Sequence, residues 1–434
     1  MAEELSLDHL EVSGEIPETL VGTYARIGPN PFKPDPRGHH WFVGDGMVHG
    51  IRLAEGSAEW YHNRYIKSGT LERNGGPPAA GGPRRGSRDT VNTNVLKLAG
   101  KTLALVESGP FPFELDRNLD TIASTNLHGT LTAPLTAHPH EDPKTGEWHA
   151  VTYESETQDT VWHVAINRAG EVIAERPIAV KDGPSIHECS ITDDYVIVFD
   201  LPVTISIPTL AQGYNCPYRW NNAHPARVGL LPRRGDVDEI IWCDVDPCYV
   251  FHVANSFQNE DGSVTIDCCA YESMFAHGPD SPNGVPCGFE RWRVDPKTRK
   301  VTRTAIDESP QEFPRVDERH FGQSYRHAWI VSQPKETVSN FVAENALYHH
   351  NLETGEKRSY SFGPDLVGGE FVFVPRTPDA EEADGWLMGL VIDAKNDTTQ
   401  LQFFEALDIE QGPIGAVHIP HRCLLYTSDA ADES

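Results

Sequence analysis

The sequence predicts an all-β fold, and three observations carry that prediction. Short apolar runs recur along the 434 residues with turn residues between them. Punctuation is dense, with 36 glycines and 33 prolines. Convincing amphipathic helical periodicity is nearly absent. Glycine admits the backbone of tight turns, and proline fixes φ and removes a donor, so together they frame hairpins and interrupt helices. At 38% hydrophobic residues the chain can bury a sizeable core. Length alone suggests two or three domains, but large β folds exceed that rule as single units. Many antiparallel hairpins in a chain this long fit a β-propeller best, because radial repetition leaves few exposed edges. A pair of double-sheet sandwiches is the second choice.

The elements follow in order. Residues 1–20 read as an irregular lead-in. Gly22-Thr-Tyr-Ala-Arg-Ile-Gly-Pro-Asn-Pro31 gives a strand ended by a Gly/Pro/Asn turn. Residues 40–52 predict a hairpin turning at Gly44-Asp45-Gly46. That Gly-Asp-Gly is no phosphate loop, since no helix follows it. Residues 73–89, rich in Gly, Pro and Arg, predict a solvated surface loop with a small basic island. It is not a linker, because β pattern resumes at Val91. Strands are expected at 103–107, 148–153, 161–166, 172–175, 195–199, 264–271, 346–352, 385–393 and 399–405, with turns such as 167–171, 353–356 and 394–398 between them.

Charge and cysteines bound the function. A net charge of −28 disfavours nucleic acid and anionic membrane as partners and is silent about a neutral, apolar substrate. Of eight cysteines, Cys243 and Cys248 are five apart and Cys268 and Cys269 adjacent, with no metal-like spacing. With no secretory signal at the N-terminus, the expectation is reduced thiols in a cytoplasmic protein. No apolar run has transmembrane length.

Three stretches could carry chemistry. Leu135-Thr-Ala-His-Pro-His-Glu-Asp-Pro143 presents His138 in a proline-framed, polar setting. Ser185-Ile-His-Glu-Cys189 precedes a β-like run, and Phe251-His-Val-Ala-Asn255 follows another. One imidazole from each, His138, His187 and His252, could meet at one metal ion, since histidine serves iron, zinc and copper. Gaps of 49 and 65 residues obey no local spacing rule, and 20 histidines make structural roles common. A propeller explains such gaps, because each blade can aim one residue at the axis.

Together the motifs resemble the carotenoid cleavage oxygenase family, which includes the stilbene-cleaving dioxygenases. The carriers are residues 22–31, Gly44-Asp-Gly-Met-Val-His-Gly50, Asn92-Thr-Asn94, Thr136-Ala-His-Pro139 with Asp142-Pro143, Ile186-His187, Phe251-His252 with Asn255, Glu312-Phe-Pro314, and Gly369-Glu370 before Phe371-Val-Phe-Val-Pro375. They run in family order from about residue 10 to Arg422. The resemblance implies a seven-bladed β-propeller with a loop cap over an axial ferrous iron, Fe(2+), held by four histidines. It carries three ligands over to His138, His187 and His252. It also implies that Glu107, Glu312 and Glu370 orient ligating imidazoles, since a carboxylate accepting the other ring N–H fixes the tautomer and raises basicity. His140 stands where relatives often have lysine and is read as a neighbour of the site or a surface residue, not a ligand. The implied reaction is oxidative cleavage of one conjugated C=C bond by O₂ to two carbonyl products. No catalytic acid–base pair is expected. Partners are O₂ and an apolar polyene or stilbene-like molecule, with transient membrane contact for its uptake as a further expectation.

The resemblance ends abruptly at Arg422. Relatives place the fourth histidine in a Phe-His-Gly-like stretch that would fall near Ser428, but no histidine follows His421. Residues 1–422 are therefore read as a single oxygenase domain. Residues 423–434 are read as a non-native tail from an assembly or sequencing junction, leaving three ligands and impaired iron binding. His418 and His421 occupy family positions of their own and are not expected to substitute. Stilbene-cleaving relatives carry a lysine beside the first glutamate, and here Val106 stands there, which favours a carotenoid or apocarotenoid over a hydroxystilbene. Phe111, Phe113, Trp220 and Phe257 could line a tunnel or simply pack a core. A non-enzymatic propeller module and a zinc or calcium hydrolase are the rival readings.

Overall fold

A computed structural model describes residues 3–34, 40, 42–86, 88–278, 284–333, 345–423 and the backbone of 430–433. It is an all-β, propeller-like assembly of antiparallel meanders. Gly22–Pro29, Gly46–Ala54 and Ser57–Tyr65 pair in turn, with Ser6–Asp8 on one edge and the backbone of Ala430–Glu433 on the other. The next meander runs through Asn94–Leu98, Lys101–Leu105, Phe113–Leu115 and Thr121–Ser124. His140–Glu141, Trp148–Thr152, Thr160–Ile166 and Val172–Ala179 form another. An eight-stranded sheet follows. One half is Cys189–Ile191, Tyr195–Asp200, Arg227–Pro232 and Ile241–Asp244, and the other is Tyr249–Gln258, Val264–Ser273, Val285–Asp295 and Lys300–Asp307. A single parallel pair, Asp244 with Lys300, joins the halves. Gln311–Val316, His327–Ser332, Ala346–Asn351 and Glu356–Ser361 come next. The last sheet, Leu366–Pro375, Gly385–Asp393, Thr398–Glu405 and Gly415–Ile419, gains Val12–Gly14 from the N-terminal region.

Inner strands such as Gly22–Pro29, Tyr249–Gln258 and Gly385–Asp393 are buried over nearly their whole length, and apolar side chains of the sheets meet in packed clusters. Trp292, Trp329, Phe289 and Phe403 are among the largest side chains fully withdrawn from water. Among the described residues only two α-helices occur, Gly69–Arg73 and Ile207–Ala211. Each is one turn, capped by Ser68 or Ser206 accepting a backbone N–H.

The expected strands are present within a residue or two, except that the one expected at 172–175 runs on to Ala179, and two further expectations need correction. The lead-in holds two short strands that dock on sheet edges. The hairpin does not turn at Gly44-Asp45-Gly46: Gly46 begins the strand Gly46–Ala54, whose partners are Gly22–Pro29 and Ser57–Tyr65. Tertiary contacts decide this. A Cβ on Gly46 would lie 1.8 Å from the Val91 carbonyl, and Asn92 Nδ2 donates to the Gly44 carbonyl at 2.9 Å. The basic island is largely neutralised, since Arg84 pairs with Asp89 and Arg85 with Glu154.

Candidate metal centre

The three histidines predicted from far-apart stretches meet. One ring nitrogen from each of His138, His187 and His252 lies within 4.8 Å of the others. All three residues are buried. His187 precedes the strand Cys189–Ile191, and His252 lies inside Tyr249–Gln258. Strand register slips between Val250 and Val253, a bulge that redirects the chain where His252 sits. Similar slips fall between Glu312 and Arg315 and between Gly368 and Phe371, so Glu312 and Glu370 also sit at bulges. Phe313, at φ 57, adopts the left-handed backbone, which is strained for an aromatic residue.

Two of the expected glutamates hydrogen-bond imidazoles of the cluster. Glu107 Oε2 lies 2.9 Å from His187 Nδ1, and Glu312 Oε2 lies 2.7 Å from His252 Nδ1. A carboxylate facing Nδ1 places the proton there, leaving Nε2 as a lone pair. The two Nε2 atoms then face each other at 3.2 Å. Two lone pairs so close repel unless a cation lies between them. A metal with bonds of about 2.1 Å places neighbouring ligand nitrogens about 3 Å apart. The donor set therefore fits a divalent transition metal. Burial and the two adjacent imidazoles push His138 well below its ordinary pKa, keeping the ring neutral as a ligand must be. Burial alone would raise the Glu107 carboxyl, but His187 and the hydroxyls of Tyr153 and Ser185 outweigh it and hold it below the usual range.

Glu370 is buried like Glu312, but its Oε1 accepts a hydrogen bond from Arg315 Nε at 2.6 Å. His140 lies outside the cluster; its Nε2 donates to Glu188 Oε1 at 3.0 Å. His418 contacts Ser13 near the surface, and His421 packs against Tyr61, so neither joins the cluster. Ser428, where the fourth histidine was expected, lies outside the described residues.

Several supports were not legible beforehand. Tyr271 donates to Glu312, and Tyr153 and Ser185 donate to Glu107. The family-like asparagines proved to be anchors. Asn94 Nδ2 donates to the Ala137 carbonyl at 2.7 Å and so fixes the segment carrying His138. Asn255 ties down residues 320–323 through His320, Gln323 and Gly322.

Two cavities flank the cluster. One, of about 680 Å³, reaches His187 and His252 past Val106, Tyr218, Phe251 and Phe313. The other, of about 510 Å³, reaches His138 and His252 and is lined by polar groups including His140, Glu188, Arg315 and Glu370. Phe111 and Phe113 line neither and belong to packed cores; Trp220 and Phe257 pack against cores likewise.

A cluster of three histidines able to hold a metal ion, on an all-β, propeller-like scaffold, defines the class of this protein. The chain belongs to the retinal pigment epithelial membrane protein (RPE65) and carotenoid cleavage oxygenase family, whose model matches residues 1–425. It is 36% identical to a carotenoid cleavage oxygenase of Mycobacterium tuberculosis, over 96% of this chain and 93% of that relative. Cobalt-substituted apocarotenoid oxygenase from Synechocystis superposes with a TM-score of 0.88 at 26% identity, covering 100% of this chain and 97% of that one. The lignostilbene dioxygenase of Pseudomonas brassicacearum gives 0.87 at 26%, covering 99% and 95%.

Proposed function

We propose that the chain is built as a non-haem Fe(II) dioxygenase that cleaves one conjugated C=C bond of a carotenoid or apocarotenoid. The observation that carries this is the pair of Nε2 lone pairs facing each other at 3.2 Å, each imidazole backed by a glutamate. His138, His187 and His252 would hold the iron, and Glu107 and Glu312 would keep the Nδ1 protons in place. Ferrous iron, when bound, supplies the redox chemistry that splits the double bond with O₂ into two carbonyls. The rest falls to the cavity. Phe251, Phe313 and Tyr271 offer aromatic walls to a flat polyene, and Val106 keeps the wall beside Glu107 apolar. Water is excluded by the same surfaces, and the reacting bond is held beside the imidazoles.

Val106 also decides between substrates. A hydroxystilbene phenolate would need a cation deep in the cavity. Among the described lining residues the cations are Arg85, paired with Glu154, and exposed Arg88. An apolar polyene needs none. Among the described residues no helix is long and apolar enough to cross a membrane. Exposed Ile207 and Leu210 on one short helix, Leu210 at the cavity, support transient membrane contact during uptake. Eight free cysteines fit a reducing, cytoplasmic setting.

The finer architecture we infer is seven four-stranded blades with a loop cap, the eight-stranded sheet counting as two because one residue pair joins its halves. Residues 1–422 would form one oxygenase domain, and residues 423–434 a tail foreign to the family pattern that costs the site its fourth imidazole.

Anaerobic Fe(II) loading tests the proposal on this chain and on a version ending in a Phe-His-Gly-type tail. The expected result is stoichiometric iron, and cleavage of an apocarotenal, in the re-tailed version alone. Full loading of both would sink the reading of the tail. Loading of neither would favour a metal-free binding propeller.

A further inference from the structure

We propose that Glu188 is a positioning residue that ties the three ligand-bearing segments of the metal centre into one unit; this rests on the three-histidine reading above. Glu188 is buried and directly follows His187. Its two oxygens reach two other segments. Oε1 accepts from His140 Nε2 at 3.0 Å, and Oε2 accepts from the Val253 backbone N–H at 2.7 Å. These partners are 48 and 65 residues away in sequence. Each stands beside a ligand: His140 is two residues beyond His138, and Val253 directly follows His252.

The geometry gives each tie a purpose. Neighbouring residues of extended chain point to opposite faces. His187 accordingly lines the apolar cavity, while Glu188 lines the polar one. His138 and His140, two apart, both line the polar cavity. At Val253 the strand bulges, because the register slips on both sides of it. A bulge leaves backbone groups outside the ladder, and a buried N–H without an acceptor costs stability. The Glu188 carboxylate accepts that N–H, so the bulge that redirects His252 is held from the neighbouring segment. One side chain thus fixes the separation of all three imidazoles. Glu107 and Glu312, in contrast, each orient a single ring.

The test is Co(II) titration of the metal-free protein under anaerobic conditions, following the visible absorption band, with apo-protein melting as a fold control. Glu188→Ala is expected to weaken cobalt about 10-fold to 100-fold and to change the band's shape. Glu188→Gln keeps an acceptor for Val253 N–H and a polar contact for His140, so it should stay within about fivefold of the parent. Glu188→Asp, too short to reach both segments, should resemble the alanine variant. His140→Ala should lose part of the affinity only. Parent-like cobalt binding by Glu188→Ala overturns the proposal. If that variant does not fold, equal affinity of the Asp and Gln variants overturns it instead. If the parent binds no cobalt, the same variants are compared in the re-tailed chain; no cobalt binding there would sink the three-histidine reading, and this proposal with it.

Discussion

Glu312 and Glu370 make the sharpest comparison in the molecule. Both are buried, both sit at bulges in strands beside the axis, and both have a short bond to a side-chain nitrogen. Glu312 faces an imidazole that can ligate a metal, whereas Glu370 faces the Arg315 guanidinium. The same side chain in the same kind of place therefore serves either metal binding or charge compensation. The difference teaches that a carboxylate's role at such a site is set by which nitrogen reaches it.

The comparison can be broken most forcefully at the ligands. His252→Ala should lower Co(II) affinity by more than about 100-fold, measured by absorption titration, because it removes a donor nitrogen. A loss below tenfold would remove His252 from the ligand set. Next, the two glutamates should part company. Glu312→Gln should cost about 10-fold or more in cobalt affinity. Glu370→Gln should change affinity less than about threefold in this chain. It should instead destabilise by about 2 kcal/mol in urea unfolding, less than for an isolated buried pair because Glu318 stays 3.0 Å from Arg315. In a chain with a Phe-His-Gly-type tail, Glu370→Gln should begin to cost metal affinity; if it does not, Glu370 is no counterpart of Glu312.

Val106→Lys sharpens the substrate side. A cation beside Glu107 should improve turnover of a hydroxystilbene relative to an apocarotenal by several-fold in the re-tailed enzyme, read as the ratio of kcat/KM values. An unchanged ratio would detach Val106 from selectivity.

The smallest effect lies away from the axis, at a histidine that binds carboxylates instead of a metal. Burial pushes His224 down, but bonds to Asp200 and Asp182, and their charges, outweigh it and hold its pKa above the ordinary value. A raised folded pKa adds stability that is full below the unfolded value, about 6.5, and is lost as pH rises through the folded one. The stability gap between the parent and His224→Gln should therefore be wider at pH 5.5 than at pH 9. A gap that does not narrow would mean that His224 is not protonated in the folded protein.

Much of the fold was legible because strands and turns leave local marks. The runs at Gly385–Asp393 and Trp148–Thr152 announced themselves by apolar, aromatic and β-branched content. The strand beginning at Gly46 was misread because the sequence shows a turn-like Gly-Asp-Gly and not the Val91 carbonyl that crowds Gly46. The three histidines and Glu107 and Glu312 were singled out only as a set of motifs, since each alone is one of 20 histidines or 64 acids. Glu188 escaped notice, because its partners His140 and Val253 are distant in sequence and leave no local trace.

By itself, then, the sequence determined the all-β class, the absence of long helices among the described residues and which imidazoles could serve a metal. These depend on residue type and on spacings within a few residues. Tertiary structure alone decided that Nε2 of His187 lies 3.2 Å from Nε2 of His252, that Glu370 takes Arg315, and that Glu188 bridges three segments. Those outcomes depend on strands separated by tens of residues arriving at one axis, where bulges and buried hydrogen bonds set the final ångström.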